Sequence, residues 1–150
     1  MALKVNIINE QNFYRLPLKE LCRLSKFVLK KEGCKNTEVS ILFTGDKEIK
    51  RFNAKFRNKN EATDVLSFYQ ESSRPRALAA PYLGDVVISV ETARRQAASL
   101  KKSIIGEIRL YIIHGLLHLL GRKDYTQKDF LKLAKRQEGL LKDYAKKNLS

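Results

Sequence analysis

Apolar positions along the chain recur in two rhythms, one of two residues and one of three to four, and the breaks between them outline nine elements. Residues 3–9 (LKVNIIN) read as a short strand. Pro17 then opens a helix over 18–31, with Leu18, Leu21, Cys22, Ser25, Val28 and Leu29 on one face. Glu38 to Thr44 is rich in strand formers, and Asp46 is placed to cap a helix through about residue 55 that buries Ile49, Phe52 and Phe56. Asp64 to Tyr69 predicts the next strand, and Gln70 to Tyr82, with its serines, arginines and prolines, an irregular stretch. Gly84 to Ser89 predicts another strand, whose Ser89 caps a helix through about Leu100. A very apolar helix over 104–120 stops at Gly121, and a final helix covers 127–147. Its buried face is expected to hold Phe130, Ala134, Gln137, Leu141 and Tyr144, with Lys128, Lys132, Lys135, Lys142 and Lys146 on the other sides.

The elements therefore run β, α, β, α, β, β, α, α, α. One mixed sheet packed against one layer of helices satisfies that order, and the trailing helices make the class α+β. Repeats, low-complexity tracts and Pro/Gly/Ser linkers are absent, so residues 1–150 are expected to form a single domain.

Composition narrows the function. Thirty basic residues against 16 acidic ones leave a formal charge of +14. Such a surface attracts polyanions and releases their counterions, which points to nucleic acid as partner. No apolar run is long and uncharged enough to span a bilayer, since Glu107, Arg109 and His114 interrupt the richest one. The first residues lack the apolar block of a signal peptide, so a cytoplasmic protein without a membrane partner is expected. Cys22 and Cys34 form no CxxC pair, and both read as small packed side chains.

Both histidines of the chain fall in His114-Gly-Leu-Leu-His118. Residues four apart on a helix stand one above the other, so two imidazoles there can address one ion. Burying them on so apolar a helix without partners costs about 1–3 kcal/mol each. Gly121 can end the helix in a left-handed turn, which lets Asp124 bring a carboxylate to the same ion and leaves a coordination position open. Thr126, with Asp129 three residues on, offers an alternative cap for the last helix and frees Asp124 for the metal. The residue after His114 is Gly115, where HExxH peptidases carry their general-base Glu.

His114-Gly-Leu-Leu-His118-Leu-Leu-Gly121 resembles the signature of the YbeY family of metal-dependent endoribonucleases, HGxLHLxGxxH. The chain departs at the last position, where Asp124 replaces a third His, a change that bears on metal preference. Asn53-Ala-Lys-Phe-Arg57, then Thr63-Asp64-Val65-Leu66-Ser67-Phe68, and Leu83-Gly84-Asp85-Val86-Val87-Ile88-Ser89 resemble three further family segments in the expected order. The resemblance implies a zincin-like α+β fold with a metal site on a central helix. It also implies single-strand-preferring RNA cleavage in ribosomal RNA maturation and ribosome quality control, with small-subunit RNA as the usual substrate. His114, His118 and Asp124 take the ligand positions for one Zn²⁺ or another divalent transition metal, and His114 counts as catalytic. Arg57 takes the place of a functionally important arginine, and a guanidinium there offers a two-point grip on phosphate oxygens. Thr63, Asp64 and Ser67 are cleft residues for holding water, Arg57 or substrate, although Asp64 and Ser67 serve equally well to organise the turn into the strand. The expected chemistry is a divalent ion that activates water or polarises a phosphate oxygen while Arg57 steadies the anion.

Two other classes compete with this reading. One is a zinc peptidase or amidase on the same scaffold, which the missing Glu and the positive charge disfavour. The other is a non-catalytic ribosome-associated module, bound through basic helices such as 127–147, in which the metal only braces the fold.

Overall fold

β-branched and aromatic residues dominate four strands: β1 (Lys4–Asn9), β2 (Glu38–Thr44), β3 (Val65–Tyr69) and β4 (Tyr82–Ser89). Five helices intervene or follow: α1 (Leu18–Lys31), α2 (Asp46–Arg57), α3 (Val90–Leu100), α4 (Ile104–Leu119) and α5 (Gln127–Leu149). These elements come from a computed structural model that describes residues 3–69 and 82–149. The irregular stretch expected over 70–82 lies, apart from Tyr82, outside the described residues.

The strands form one mixed sheet in the order β1-β2-β4-β3. β1, β2 and β4 are parallel, which requires a crossover between each pair, and α1 supplies the first. β3 pairs antiparallel with β4 and closes one edge of the sheet.

Alternation along the strands sends Val39, Ile41 and Phe43 of β2, and Val86 and Ile88 of β4, to one face. There α1 (Leu21, Leu24, Val28), α4 (Ile108, Ile112, Leu116) and α5 (Leu133, Leu140) bury them completely or nearly so. α4 is apolar nearly all round because it is enclosed by α1, α3, α5 and the sheet. Ser103 caps it, accepting a hydrogen bond from Gly106 N at 2.9 Å.

The opposite face is covered only in part. Ile49 of α2 packs on Leu66 and Val87, with Leu42, Phe52 and Phe68 around them. Helices thus lie on both faces of the sheet, and α2 stands apart from the layer the strand order led us to expect.

Three expectations about single residues are corrected. Asp46 does not cap α2, because Gly45 occupies that position and the Asp46 carboxylate is drawn to α3 instead. It accepts hydrogen bonds from Ser89 Oγ and Thr92 Oγ1, both at 2.6 Å, and pairs with Arg95. Phe56 is 56% exposed, since the apolar patch beneath α2 is filled by Ile49 and Phe52. Phe130 is also 56% exposed, because α5 docks through Leu133, Leu140 and Tyr144.

Candidate metal centre

α4 carries His114 and His118 on one side, both half-buried, with their Nε2 atoms 2.9 Å apart. At its end Gly121 takes φ 92°, a left-handed conformation that glycine adopts without strain. Gly121 N donates to His118 O and Arg122 N to Leu117 O, both at 3.0 Å, so the helix closes in a Schellman-type turn. The turn redirects the chain, and Asp124 Oδ2 comes to 3.7 Å from His118 Nε2. Thr126 Oγ1 then accepts from Asp129 N at 3.0 Å and starts α5, which leaves Asp124 free of capping duty. One ligand atom from each of His114, His118 and Asp124 lies within 4.8 Å of the others. Among the described residues, these three form a group able to hold a metal ion.

His114 Nδ1 lies 2.5 Å from Gln137 Oε1, an acceptor, so the ring proton sits on Nδ1. The Nε2 lone pair of His114 then faces His118 Nε2 at 2.9 Å, where it can accept a proton from that ring or, with both rings protonated on Nδ1, share a cation with it. Burial pushes the His118 imidazole below its ordinary value, and the neighbouring His114 adds to this while Asp124 opposes it. The depressed value favours the neutral ring that a metal ligand must be. The residues fit one divalent ion.

The triad opens into a cavity of about 430 Å³ that also receives Arg57, Ser67, Tyr69 and Tyr125. Arg57 reaches it from the last turn of α2 and donates from Nη2 to Ser67 O at 2.5 Å. Ser67 Oγ in turn donates to Gly115 O at 2.9 Å and ties edge strand β3 to α4 between the two histidines. Arg57, Ser67 and the triad therefore come together. Thr63 and Asp64 do not line this cavity. Asp64 Oδ1 accepts from Val65 N at 2.8 Å and from Thr63 Oγ1 at 3.2 Å, and Asp64 O accepts from Ser89 N at 2.9 Å, so both residues shape the entry to β3.

Gly115 has a packing reason to be glycine. A Cβ there would stand 2.5 Å from Val86 Cγ1 and 3.3 Å from Val65 Cγ2, so α4 lies directly on the sheet. Any larger residue here, the Glu of the peptidase motif included, would require Val86 to shift.

The pattern analysis placed Gln137 on the α5 face without a task. Its one signal was a lone amide within an otherwise apolar stripe. Glu32, at the end of α1, also went unnoticed. Its Oε1 accepts from Arg122 Nε at 2.9 Å, and its Oε2 from Arg136 Nε at 3.0 Å and Nη2 at 2.7 Å. It thereby clamps the segment leading to Asp124 and the helix that carries Gln137.

A helix bearing two histidines one turn apart, a carboxylate beyond a glycine turn, and a mixed sheet with an antiparallel edge strand define a zincin-like α+β protein with a candidate metal centre. The chain belongs to the Endoribonuclease YbeY family, whose profile matches residues 6–145. The Endoribonuclease YbeY of Petrotoga mobilis is 42% identical over 120 residues, 79% of each chain. That of Bacillus velezensis is 32% identical over 152 residues, covering 96% of this chain and 97% of its own. The solution structure of TM1509 from Thermotoga maritima shares the fold, with a TM-score of 0.63 and 24% identity over 95% of this chain and 93% of that one. No helix among the described residues is long and apolar enough to cross a membrane.

Proposed function

We propose that this protein is a metal-dependent endoribonuclease that cuts single-stranded RNA, with ribosomal RNA of the small subunit as its substrate and the cytoplasm as its compartment. The observation that carries the reading is the meeting of three ligand atoms within 4.8 Å of one another in a cavity that also receives the Arg57 guanidinium. The net charge of +14 supports a polyanionic substrate, and the relatives' names support RNA cleavage.

His114, His118 and Asp124 would hold one Zn²⁺ or a similar divalent ion, which supplies Lewis acidity toward a phosphate ester. Arg57 spends one N–H on Ser67 O and keeps other donors for the oxygens of a phosphate in the cavity. Its positive charge opposes the negative charge that builds as a phosphodiester is attacked, and the bond to Ser67 holds it in place beforehand. Gln137 keeps the proton on His114 Nδ1, so the ring presents Nε2 to the cavity.

The test is cleavage of a single-stranded RNA by the Zn²⁺-loaded protein, beside His114→Ala, Asp124→Ala and Arg57→Ala. Wild-type cleavage lost in all three supports the reading. Full activity in His114→Ala, or none in the wild type on any RNA, overturns it. End-group analysis of the products separates attack by water from attack by the 2′-hydroxyl, since only the latter leaves a 2′,3′-cyclic phosphate.

A further inference from the structure

A second cavity lies on the far face of the sheet, between α2 and the strands, with a volume of about 810 Å³. It neighbours the metal cavity across edge strand β3, because Arg57, Ser67 and Tyr69 line both. Its walls differ in kind from those of the metal side. Phe52, Phe56 and Phe68 make an aromatic cluster there, with Phe56 edge-on to Phe68 at 5.2 Å and stacked on Phe52 at 6.2 Å.

The cluster is partly open to solvent. Phe56 is 56% exposed and Tyr69, at the junction of the two cavities, 68%. Cations stand over the rings: Lys55 Nζ is 5.3 Å from the Phe56 centroid and the Arg57 guanidinium 5.7 Å from that of Phe68. Aromatic faces along a cationic groove are the means by which proteins hold unpaired nucleobases while tracking the phosphates between them. A phosphate gripped by Arg57 at the metal cavity leaves a neighbouring base within reach of the aromatic wall. A base inside a duplex is stacked on both sides and cannot enter.

We propose that this aromatic cavity is a subsite for one unpaired nucleobase next to the scissile phosphate, and that its stacking on Phe56 gives the enzyme its preference for single strands. The inference rests on the RNA-cleaving reading above. Ser40 and Asp85 also line this cavity, and both are already engaged, Ser40 Oγ accepting from Asn6 Nδ2 at 3.3 Å and Asp85 Oδ1 from the Tyr82 hydroxyl.

The test uses the Zn²⁺-loaded protein and single-stranded RNAs in which one abasic nucleotide is moved position by position past the cleavage site. One position is expected to raise KM roughly 5- to 150-fold in the wild type, the range of a single base–aromatic stack. Phe56→Ala should raise KM on intact RNA by a similar factor and lose the penalty at that one position, while Phe56→Trp keeps it. Phe56→Leu gives a second variant that retains an apolar side chain on α2. Phe130→Ala, equally exposed but lining neither cavity, should keep the wild-type profile. An abasic profile unchanged in both Phe56→Ala and Phe56→Leu overturns the subsite, even if overall activity falls. If the wild type cleaves no RNA, the proposed function fails and takes the subsite with it; cleavage without a coupled position sinks the subsite alone.

Discussion

Gln137 Oε1 lies 2.5 Å from His114 Nδ1, which makes the last helix of the fold a direct partner of the metal ligands. An acceptor at that nitrogen fixes the tautomer and the plane of the ring, and loss of such a partner commonly costs 10- to 100-fold in metal affinity. Gln137→Leu is therefore expected to weaken Zn²⁺ binding by roughly that factor. Gln137→Glu restores the acceptor and should recover wild-type affinity or exceed it. Competition against a chromogenic chelator reads this without any RNA, and equal affinities in all three proteins would contradict it.

Bound metal should stabilise the fold. An ion that binds only the native state adds roughly 2.7 kcal/mol at a concentration of about 100 times its Kd. Thermal unfolding of the wild type should therefore shift upward on Zn²⁺ addition and return on chelation. His114→Ala and Asp124→Ala should show little shift. A full shift in Asp124→Ala would remove that carboxylate from the ligand set.

Gly115→Ala sets two effects of opposite sign against each other. Alanine favours a helix by up to about 1 kcal/mol over glycine. The added Cβ, however, meets Val86 Cγ1 at 2.5 Å inside the core, where a β-branched side chain has no room to swing away. Overpacking of this kind costs about 1–3 kcal/mol, so net destabilisation is expected. Val86→Ala in the same chain should recover part of it, and chemical denaturation of the two singles and the double would show the coupling.

Glu32 introduces a pH dependence. Burial opposes its ionisation, yet the hydrogen bonds from Arg136 and Arg122 and their charges outweigh burial and hold the carboxyl below its ordinary value of 4.5. A depressed carboxyl contributes stability that is fully present above the unfolded-state pKa. That stability is lost as pH falls through the lower folded-state value. Glu32→Gln should thus lower stability at neutral pH by roughly 1–2 kcal/mol, since both arginines are partly in solvent. It should also flatten the acid limb of the melting-temperature curve below pH 4.5. Parallel acid limbs in the two proteins would argue against the clamp.

Elements whose apolar rhythm was unambiguous came out where expected: the helix over 18–31 and the strand over 38–44 match α1 and β2 residue for residue. The triad was legible too, because helical spacing and a glycine turn are local properties. Choices between two nearly equal local options were not legible. In α5, Leu131, Leu133, Leu140 and Leu141 allow more than one apolar stripe, and docking against α1 and α4 selects the one through Leu133 and Leu140. Phe56 looked like core because α2 was read without knowing how far the sheet extends beneath it. Asp46 has all the features of a helix cap, and only the arrival of α3 beside it explains why its carboxylate turns toward Ser89 and Thr92. That Arg57, Ser67 and Tyr69 line both cavities depends on β3 standing at the edge in the order β1-β2-β4-β3, which nothing local records.

The contact between α5 and His114 also has a bearing on the order in which the chain is made. Both histidines and Asp124 are synthesised before Gln137. A nascent chain carries its ligands early but lacks the group that orients the first of them. The metal centre thus gains its oriented ring only when α5 has folded back onto α4.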